Sequence, residues 1–270
     1  MFRRAVNLYQ PQQQQLFTLL SQEYDNGPNS CRIATTHFNT LFRPGETVAF
    51  SPHGIAIGTD KWIDYTHCAI WHPPVISITR EELNTVCWRS WQQLINSEIR
   101  YSNSLFKYRG DNLFHQQLAT LLQQGRQAII TSIKNNLDPT PAMRSLIGLG
   151  IGLTPSGDDW LCGFSMIFFL PGHPGEKYRP FLIDALASGK PKTTLLSAIT
   201  LEHHLQHRYR EHVGEFITTL LSNNRQAIKP AIQKIKEIGS SSGCDMLCGI
   251  ADACALTAEI GEHYVRQDSD

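Results

Sequence analysis

The first eighty residues alternate between short apolar runs and turn-forming residues. Runs rich in apolar or β-branched side chains are separated by Gly, Pro and Asn clusters such as 26–29 and 52–54. Short runs bounded by turn signals are typical of β-strands. We predict a small antiparallel sheet or partial barrel with strands at 4–8, 16–20, 31–35, 47–50, 55–57 and 75–78.

From residue 79 onward, apolar positions recur at helical spacing. Thr79 precedes Glu81 and Glu82, which is the pattern of a helix N-cap followed by an acidic first turn. Helical lengths and Gly/Pro joints predict further helices at 113–135, 159–170, 180–187, 194–221, 226–238 and 245–264. The predicted fold class is α+β, with a β-rich region at 1–100 and a helical domain at 101–270.

Composition and charge narrow the class of protein. The 270 residues include 24 Lys plus Arg and 24 Asp plus Glu, so the formal net charge is +0. Because a neutral chain has no overall field to hold a polyanion, we expect no nucleic-acid partner. The longest apolar run, 160–170, is shorter than the roughly 20 residues that cross a bilayer, so we expect no membrane span.

The N-terminal residues and the cysteine spacing indicate the cellular compartment and the state of the cysteines. Residues 1–20 hold no unbroken apolar stretch of the kind that directs export, so we expect a cytoplasmic protein. The seven cysteines form no Cys-x-x-Cys pair, and Cys162, Cys248 and Cys254 lie in apolar stretches. We therefore interpret them as buried small hydrophobes rather than as redox or zinc ligands.

The strongest chemical signal is a glycine-rich segment before the most apolar helix. Residues 148–159 read GLGIGLTPSGDD. Its glycines permit close backbone approach or positive φ, its hydroxyls can donate hydrogen bonds, and a helix N-terminus favours anions. The segment suits an oxyanion, so we assign phosphate or substrate binding to Gly150, Gly152 and Gly157. The structural alternative is a capping box between Ser156 and Asp159.

A second segment echoes the first. Residues 156–164 read SGDDWLCGF and residues 242–250 read SGCDMLCGI, with identity at six positions. Both follow a polar joint and open an apolar helix. We predict that the two helix N-termini face one anion pocket, to which Ser242, Gly243 and Asp245 contribute.

The carboxylates beside this pocket need roles compatible with an anion. A carboxylate near phosphate must cap its helix, hold a Mg²⁺ ion or accept hydrogen bonds from a substrate –NH₂. We assign Asp159 and Asp245 to capping within the binding site and Asp158 to a substrate or Mg²⁺ contact. Candidate catalytic residues are Asp158, Thr154 and Ser156; no side chain is assigned as a metal ligand, and Mg²⁺ stays an open cofactor.

A further hydroxyl-rich start is predicted for the helix at 194–221. Thr193 and Thr194 can bind substrate or serve as a helix cap. Four histidines follow on the same predicted helix, and His203 with His207 could chelate a metal. Since no third ligand has a recognisable spacing, a solvated helix face is the favoured interpretation.

With these motifs in place, the chain resembles the AllH-like family. The likeness rests on 150–159 with Leu161 and Gly163, and is supported by 4–8, 193–197 and 242–249. The resemblance implies a subunit of an oxamate carbamoyltransferase in purine and allantoin nitrogen catabolism. In that reaction oxalurate and phosphate give oxamate and carbamoyl phosphate, and one partner subunit is similar to acyl-CoA synthetases.

Two other functions are compatible with the residues. A non-catalytic subunit could use the pocket for anion binding or assembly, because no obvious general base lies beside the motif. A metal-dependent amide hydrolase could use Asp158, Asp159 and Asp245 together with the histidine-bearing helix. Metal analysis of the purified protein separates the hydrolase from the other two.

Overall fold

The chain forms two compact units, Met1–Pro74 and Val75–Asp270. The structure is a computed structural model that describes residues 4–35 and 38–267, with side chains described as far as residue 260. About 53% of the residues are helical and 11% lie in strands. Small sheets in the N-terminal part precede a larger helical part, which confirms the predicted α+β fold.

The N-terminal unit contains two three-stranded sheets around one core. The first has the order β1-β2-β3 and the second the order β4-β5-β6. The strands are β1 Ala5–Gln10, β2 Gln15–Ser21, β3 Ser30–Ile33, β4 Val48–Phe50, β5 Gly54–Ile57 and β6 Lys61–Asp64. Helix α1, Phe38–Leu41, adds Phe38 to a core that takes Leu19 from the first sheet and Ile55 from the second.

The pairing within these sheets departs in one place from the antiparallel prediction. Strands β1 and β2 pair antiparallel, as do β4, β5 and β6, but β3 runs parallel to β2 with Thr18 opposite Ser30. The connection 22–29 therefore returns the chain to the start of β2 instead of closing a hairpin. The turn residues in that connection indicated a bend but not its direction.

One predicted strand is wrong and one observed strand was not predicted. Residues 75–78 form no strand; the N–H of Ile78 donates to the carbonyl of Pro171 at 2.9 Å, and Ile76 and Ile78 are buried in the helical unit. Strand β6, Lys61–Asp64, has charged residues at both ends. Its apolar run is therefore too short to stand out in the sequence.

Helices make up the second unit. They are α2 Arg80–Thr85, α3 Trp88–Glu98, α4 Leu113–Lys134, α5 Thr140–Leu146, α6 Ser156–Phe168, α7 Arg179–Gly189, α8 Leu195–Leu205, α9 Glu211–Leu221, α10 Ile228–Lys236 and α11 Ser242–Gln267. The N-cap predicted at Thr79 is confirmed. It forms a full capping box, because Thr79 accepts from the N–H of Glu82 and Glu82 accepts from the N–H of Thr79.

Helix α6 is the centre of the helical unit. Every residue from Ser156 to Phe168 is buried, and its aromatic side chains stack on one another, with the rings of Trp160 and Phe164 5.0 Å apart. A helix that is apolar on all sides and of this length belongs in a core. Among the helices of the described residues, none is both long and apolar enough to cross a bilayer.

The predicted long helix at 194–221 is wrong, because two helices occupy that range. Helix α8 ends at Leu205 and α9 begins at Glu211, and His207 between them has φ +56°. The break distributes the histidines over two helices and a turn. His204 lies buried against the Cys162 carbonyl, and burial lowers its pKa to about 4, so it is a neutral core residue.

Candidate functional site

The two echoed segments start two helices that pack directly against each other. A Cβ atom on Gly163 would collide with the backbone carbonyl of Met246, and one on Gly249 would collide with that of Trp160. Trp160 and Met246 occupy matching positions in the echo, so the contact is reciprocal. Glycine is required at both positions because no other residue lets the helix backbones approach this closely.

The same reciprocity holds where each helix begins. The N–H of Gly157 donates to the carbonyl of Leu149 at 2.8 Å, and the N–H of Gly243 donates to that of Ile238 at 2.9 Å. Gly157 also packs on the carbonyl of Leu146, near the end of α5, as Gly243 packs on that of Ile235 in α10. The repeat is therefore a helix–loop–helix unit, and the first copy has the longer loop.

That longer loop contains the alternating glycines. Gly148, Gly150 and Gly152 have φ +77°, +140° and +89°, a region that other residues rarely adopt. A Cβ on Gly150 would collide with the N–H of Ser156, whereas a Cβ on Gly152 would meet open space. Gly152 is therefore required for its backbone angle, and the space beside it is free for a ligand.

The Asp158 carboxylate binds this loop through a hydrogen bond to its backbone. Its Oδ1 accepts from the N–H of Gly148 at 2.8 Å, and its Oδ2 accepts from the hydroxyls of Thr193 and of Ser197, the latter at 2.7 Å. Asp158 is fully buried. Burial raises its pKa, while the hydrogen bonds from Thr193, Gly148 and Ser197 act in the opposite direction. The catalytic role of Asp158 stays a prediction; its contacts clamp the glycine loop to the start of α8.

Thr194 completes the clamp. Its hydroxyl accepts from the N–H of Ser197 at 3.1 Å, which makes it the N-cap of α8, and donates to the carbonyl of Leu153. The predicted helix cap at Thr194 is therefore confirmed. Both hydroxyls are already donated to acceptors within the chain. Substrate binding by Thr193 and Thr194 stays a prediction.

The predicted capping box between Ser156 and Asp159 is wrong. Helix α6 has Pro155 as its N-cap and no side-chain capping bond. The carbonyl of Leu149 already satisfies the N–H of Gly157, so the loop backbone does the work of a capping side chain. This frees the Asp159 carboxylate to face the other helix.

Asp159 and Asp245 form a pair of buried carboxylates where α6 and α11 meet. Asp159 is 2% exposed and Asp245 is 0% exposed. Burial, and next the charge of Asp245, raises the pKa of Asp159 well above its usual value, while hydrogen bonding from Ser242 and Thr154 lowers it. The two hydroxyls also lie within 2.7 Å of each other. The starts of α6 and α11 thus contribute one carboxylate each to this pair.

Asp245 is held from a segment that precedes the glycine motif. Its Oδ1 accepts from the hydroxyl of Ser104, which lies 141 residues earlier in the chain. Burial raises the pKa of Asp245 to about 6, and hydrogen bonding from Ser104, Ser156 and Ser241 opposes that rise. Asp245 therefore connects the start of α11 with the connection between α3 and α4.

An open cleft of about 610 Å³ lies where the starts of α6 and α11 meet the α3–α4 connection. Gly152 and Ser156 line it from the first copy of the repeat, and Ser240 and Ser241 line it from the second. The opposite wall is formed by residues of the α3–α4 connection, including Ser104. Of the residues predicted for a shared anion pocket, Gly152 and Ser156 line this cleft, whereas Ser242, Gly243 and Asp245 are not among its lining residues. A shared anion pocket stays a prediction.

The cleft is basic, a feature that the sequence analysis missed. Arg100, Lys107 and Arg109 line it together with His115. Lys107 donates to the side-chain oxygen of Asn96 at 3.1 Å, and Arg100 lies over the ring of Tyr101. Within the described side chains, none of the three cations forms an ion pair with a carboxylate. Three basic residues within 100–109 were a visible signal in a chain with no net charge.

The potential metal ligands and the cysteines were also predicted from the sequence, and the structure shows where they lie. Within the part of the chain that the structure describes, no group of three or more His, Cys, Asp or Glu side chains is arranged to hold a metal ion. The predicted burial of Cys162, Cys248 and Cys254 is confirmed. Burial raises the pKa of the Cys248 thiol to about 12, so it is protonated at neutral pH.

Comparison with known families adds an identity to this geometry. Residues 146–254 match the family model described as oxamate carbamoyltransferase subunit AllH, and residues 1–70 match the AllH family N-terminal domain. No solved structure matches the chain. The chain belongs to the AllH family, whose description names a subunit of a carbamoyltransferase.

Proposed function

We propose that this AllH-family chain binds phosphate, carbamoyl phosphate or a small oxamate-like acid in the basic cleft, as a subunit of an oxamate carbamoyltransferase. The observation that carries the proposal is the convergence of Arg100, Lys107 and Arg109 on a cleft floored by the two helix starts. Cations without carboxylate partners attract anionic ligands and bind them by charge-assisted hydrogen bonds.

The reaction proposed for the complex needs such a site. A phosphate oxygen attacks the terminal ureido carbonyl carbon of oxalurate, the bond from that carbon to the inner nitrogen breaks, and the phosphate proton passes to the leaving nitrogen. The products are carbamoyl phosphate and oxamate. Since phosphate is the nucleophile, the protein must hold two anions together and offset negative charge on the carbonyl oxygen, which three cations and the Ser156 hydroxyl can do.

Partner subunits are part of this proposal, because the family name describes a subunit. Tyr101 and Ile151 line the cleft and are 81% and 47% exposed. Apolar side chains at an open mouth favour closure by a partner surface. We propose that this partner is the subunit similar to acyl-CoA synthetases. We place the complex in purine and allantoin nitrogen catabolism in the cytoplasm.

The binding test uses the purified chain with phosphate, carbamoyl phosphate and oxamate, measured by calorimetry and thermal shift. Arg109→Gln and Lys107→Gln should each weaken binding by about tenfold or more, since a hydrogen bond to a charged group contributes roughly 1.5 to 3 kcal/mol. Arg225→Gln, which removes an exposed charge outside the cleft, is the matched control. Unchanged affinity in both cleft variants would refute the anion site.

Transfer activity decides between a catalytic and an assembly role. The chain is combined with its partner subunits, and carbamoyl phosphate formation is measured with saturating oxalurate and phosphate. Loss of activity in Arg109→Gln with an intact complex supports catalysis in this cleft. Full activity together with weakened anion binding assigns the cleft to assembly or regulation. Activity that requires an added metal and releases ammonia instead of carbamoyl phosphate supports the amide hydrolase.

A further inference from the structure

The buried carboxylates of Asp159 and Asp245 are incompletely satisfied. Among the described residues, the Oδ2 atom of each has no hydrogen-bond partner. Both side chains are more than nine-tenths buried. Hydroxyls nevertheless act on both carboxylates: those of Thr154 and Ser242 on Asp159, and that of Ser104 on Oδ1 of Asp245.

Two such oxygens are costly without a counter-charge. An ionised carboxylate removed from water loses several kcal/mol unless it is paired, and like charges at close range add to that cost. Arg126, a basic side chain on the neighbouring helix α4, is not available, because its guanidinium is bound on two nitrogens to Asp252. The cluster therefore requires a proton or a cation.

We propose that Asp159 and Asp245, with the hydroxyls of Thr154 and Ser242, form a binding site for one Mg²⁺ ion beneath the basic cleft. The donors are all oxygen, as hard cations prefer. Two carboxylates carry the charge that balances a divalent ion.

The small number of carboxylates favours Mg²⁺ over Ca²⁺. Mg²⁺ is commonly held by one or two carboxylates and completes its octahedron with water and phosphate oxygens, whereas Ca²⁺ takes six to eight oxygen ligands, mostly carboxylates and carbonyls with some waters. Asp158 is not part of the site, because its carboxylate already accepts three hydrogen bonds.

The site has a route to the cleft. The hydroxyls of Ser104 and Ser156 act on Asp245, and the same two residues line the cleft. Rotation of these short side chains would open the carboxylate pair to water and to an anion above it. A Mg²⁺ ion there would meet a phosphate held by the cations of the rim.

The test measures cation binding to the full chain in the absence of phosphate, so that its result does not depend on the proposed anion site. Mn²⁺ serves as a spectroscopic substitute for Mg²⁺, with free Mn²⁺ counted by electron paramagnetic resonance and Mg²⁺ used as the competitor. We expect one bound ion per chain and a rise in Tm with millimolar Mg²⁺.

Asp159→Asn and Asp245→Asn keep the shape of the side chain and should each abolish the bound ion and the Tm rise. Asp184→Asn, an exposed carboxylate on α7, is the matched control and should retain both. Ser242→Ala should weaken binding several-fold without removing a charge, which guards against loss of binding through misfolding.

Two results would overturn the site. If the native chain binds no Mn²⁺ or Mg²⁺ and both Asn variants are as stable as it is, the pair is neutralised by a shared proton. If the ion persists in both variants, it binds elsewhere in the chain.

Discussion

The hydroxyl oxygens of Thr154 and Ser242 lie 2.7 Å apart, although 88 residues separate them in the chain. Ser242 begins helix α11 and the second copy of the echoed segment, and Thr154 lies in the loop just before helix α6 and the first copy. Their contact closes the hydroxyl side of the carboxylate pair formed by Asp159 and Asp245. The hydroxyl contact thus joins the starts of the two helices directly.

Gly163→Ala should lower the free energy of unfolding by about 3 kcal/mol. The added methyl group would collide with the carbonyl of Met246 on the facing helix, and a helix backbone cannot move aside as a side chain can. Chemical denaturation measures the change.

Gly189→Ala is the control for that substitution. Its methyl group would meet only side-chain atoms of Ile147, the nearest at 3.0 Å. Alanine is also more favourable than glycine in a helix by about 1 kcal/mol. We expect a change within about 1 kcal/mol. Equal losses in the two variants would contradict the close approach of α6 and α11.

Asp158→Ala should lower the free energy of unfolding by about 3 kcal/mol, because it leaves the N–H of Gly148 and the hydroxyls of Thr193 and Ser197 without their acceptor. Hydrogen exchange of the Gly148 amide should accelerate at the same time. The exposed Asp184→Ala serves as control. A stable Asp158→Ala protein with a protected Gly148 amide would show that the clamp does not hold the loop.

Asp252→Ala should lower the free energy of unfolding by roughly 3 to 5 kcal/mol. Asp252 binds the guanidinium of Arg126 on two nitrogens and accepts from the indole N–H of Trp160 at 2.9 Å, so its loss leaves a charge without its partner. Glu215→Ala breaks the exposed ion pair with Lys234 and should change stability by less than about 1 kcal/mol. Urea unfolding of both variants checks the contrast.

Stability should depend on pH through Asp245. Because burial raises its pKa to about 6, the folded state holds this proton more tightly than the unfolded state does. That stabilisation is complete below the ordinary aspartate pKa of about 4 and is lost as pH rises through about 6. Raising the pH from about 4.5 to 7.5 should therefore cost the native chain about 2 kcal/mol at this group.

Asp245→Asn removes that titration. Measured by urea unfolding in chelator-treated buffer, the difference in free energy of unfolding, variant minus native, should rise by about 2 kcal/mol between about pH 4.5 and 7.5. A difference that stays constant over this interval would mean that Asp245 is not desolvated in the folded state.

Local patterns in the sequence determined the elements and the composition of the site. Alternation of short apolar runs with turn residues indicated strands before residue 79, and recurrence at three and four positions indicated helices after it. The glycines at 148–152, with positive φ, and the capping box at Thr79 are likewise local, because backbone sterics and cap hydrogen bonds involve residues close together in sequence.

The long-range arrangement was decided by tertiary structure. The attachment of 75–78 depends on the carbonyl of Pro171, far along the chain. The parallel pairing of β3 with β2 and the break at His207 were also not predicted, because neither the direction of a strand nor a positive φ leaves a periodic signal in the sequence. The absence of the capping box at Ser156 depends on how the glycine loop folds, since the carbonyl of Leu149 takes the place of a capping side chain. Local propensity cannot contain these choices.

The site divides in the same way. The echo of 156–164 in 242–250 indicated two similar helix starts, and the glycine contacts are indeed reciprocal, with Gly163 against the carbonyl of Met246 and Gly249 against that of Trp160. That the two starts form one anion pocket stays a prediction. Which carboxylate faces which partner was not in the pattern: Asp158 turns to Thr193 and Ser197, while Asp159 turns to Asp245. The basic residues of 100–109 line the same cleft, because packing of α3 against α11 places that segment beside the starts of α6 and α11. Sequence determines which groups are present, and tertiary packing decides which of them meet, because burial and hydrogen bonding act between neighbours in space.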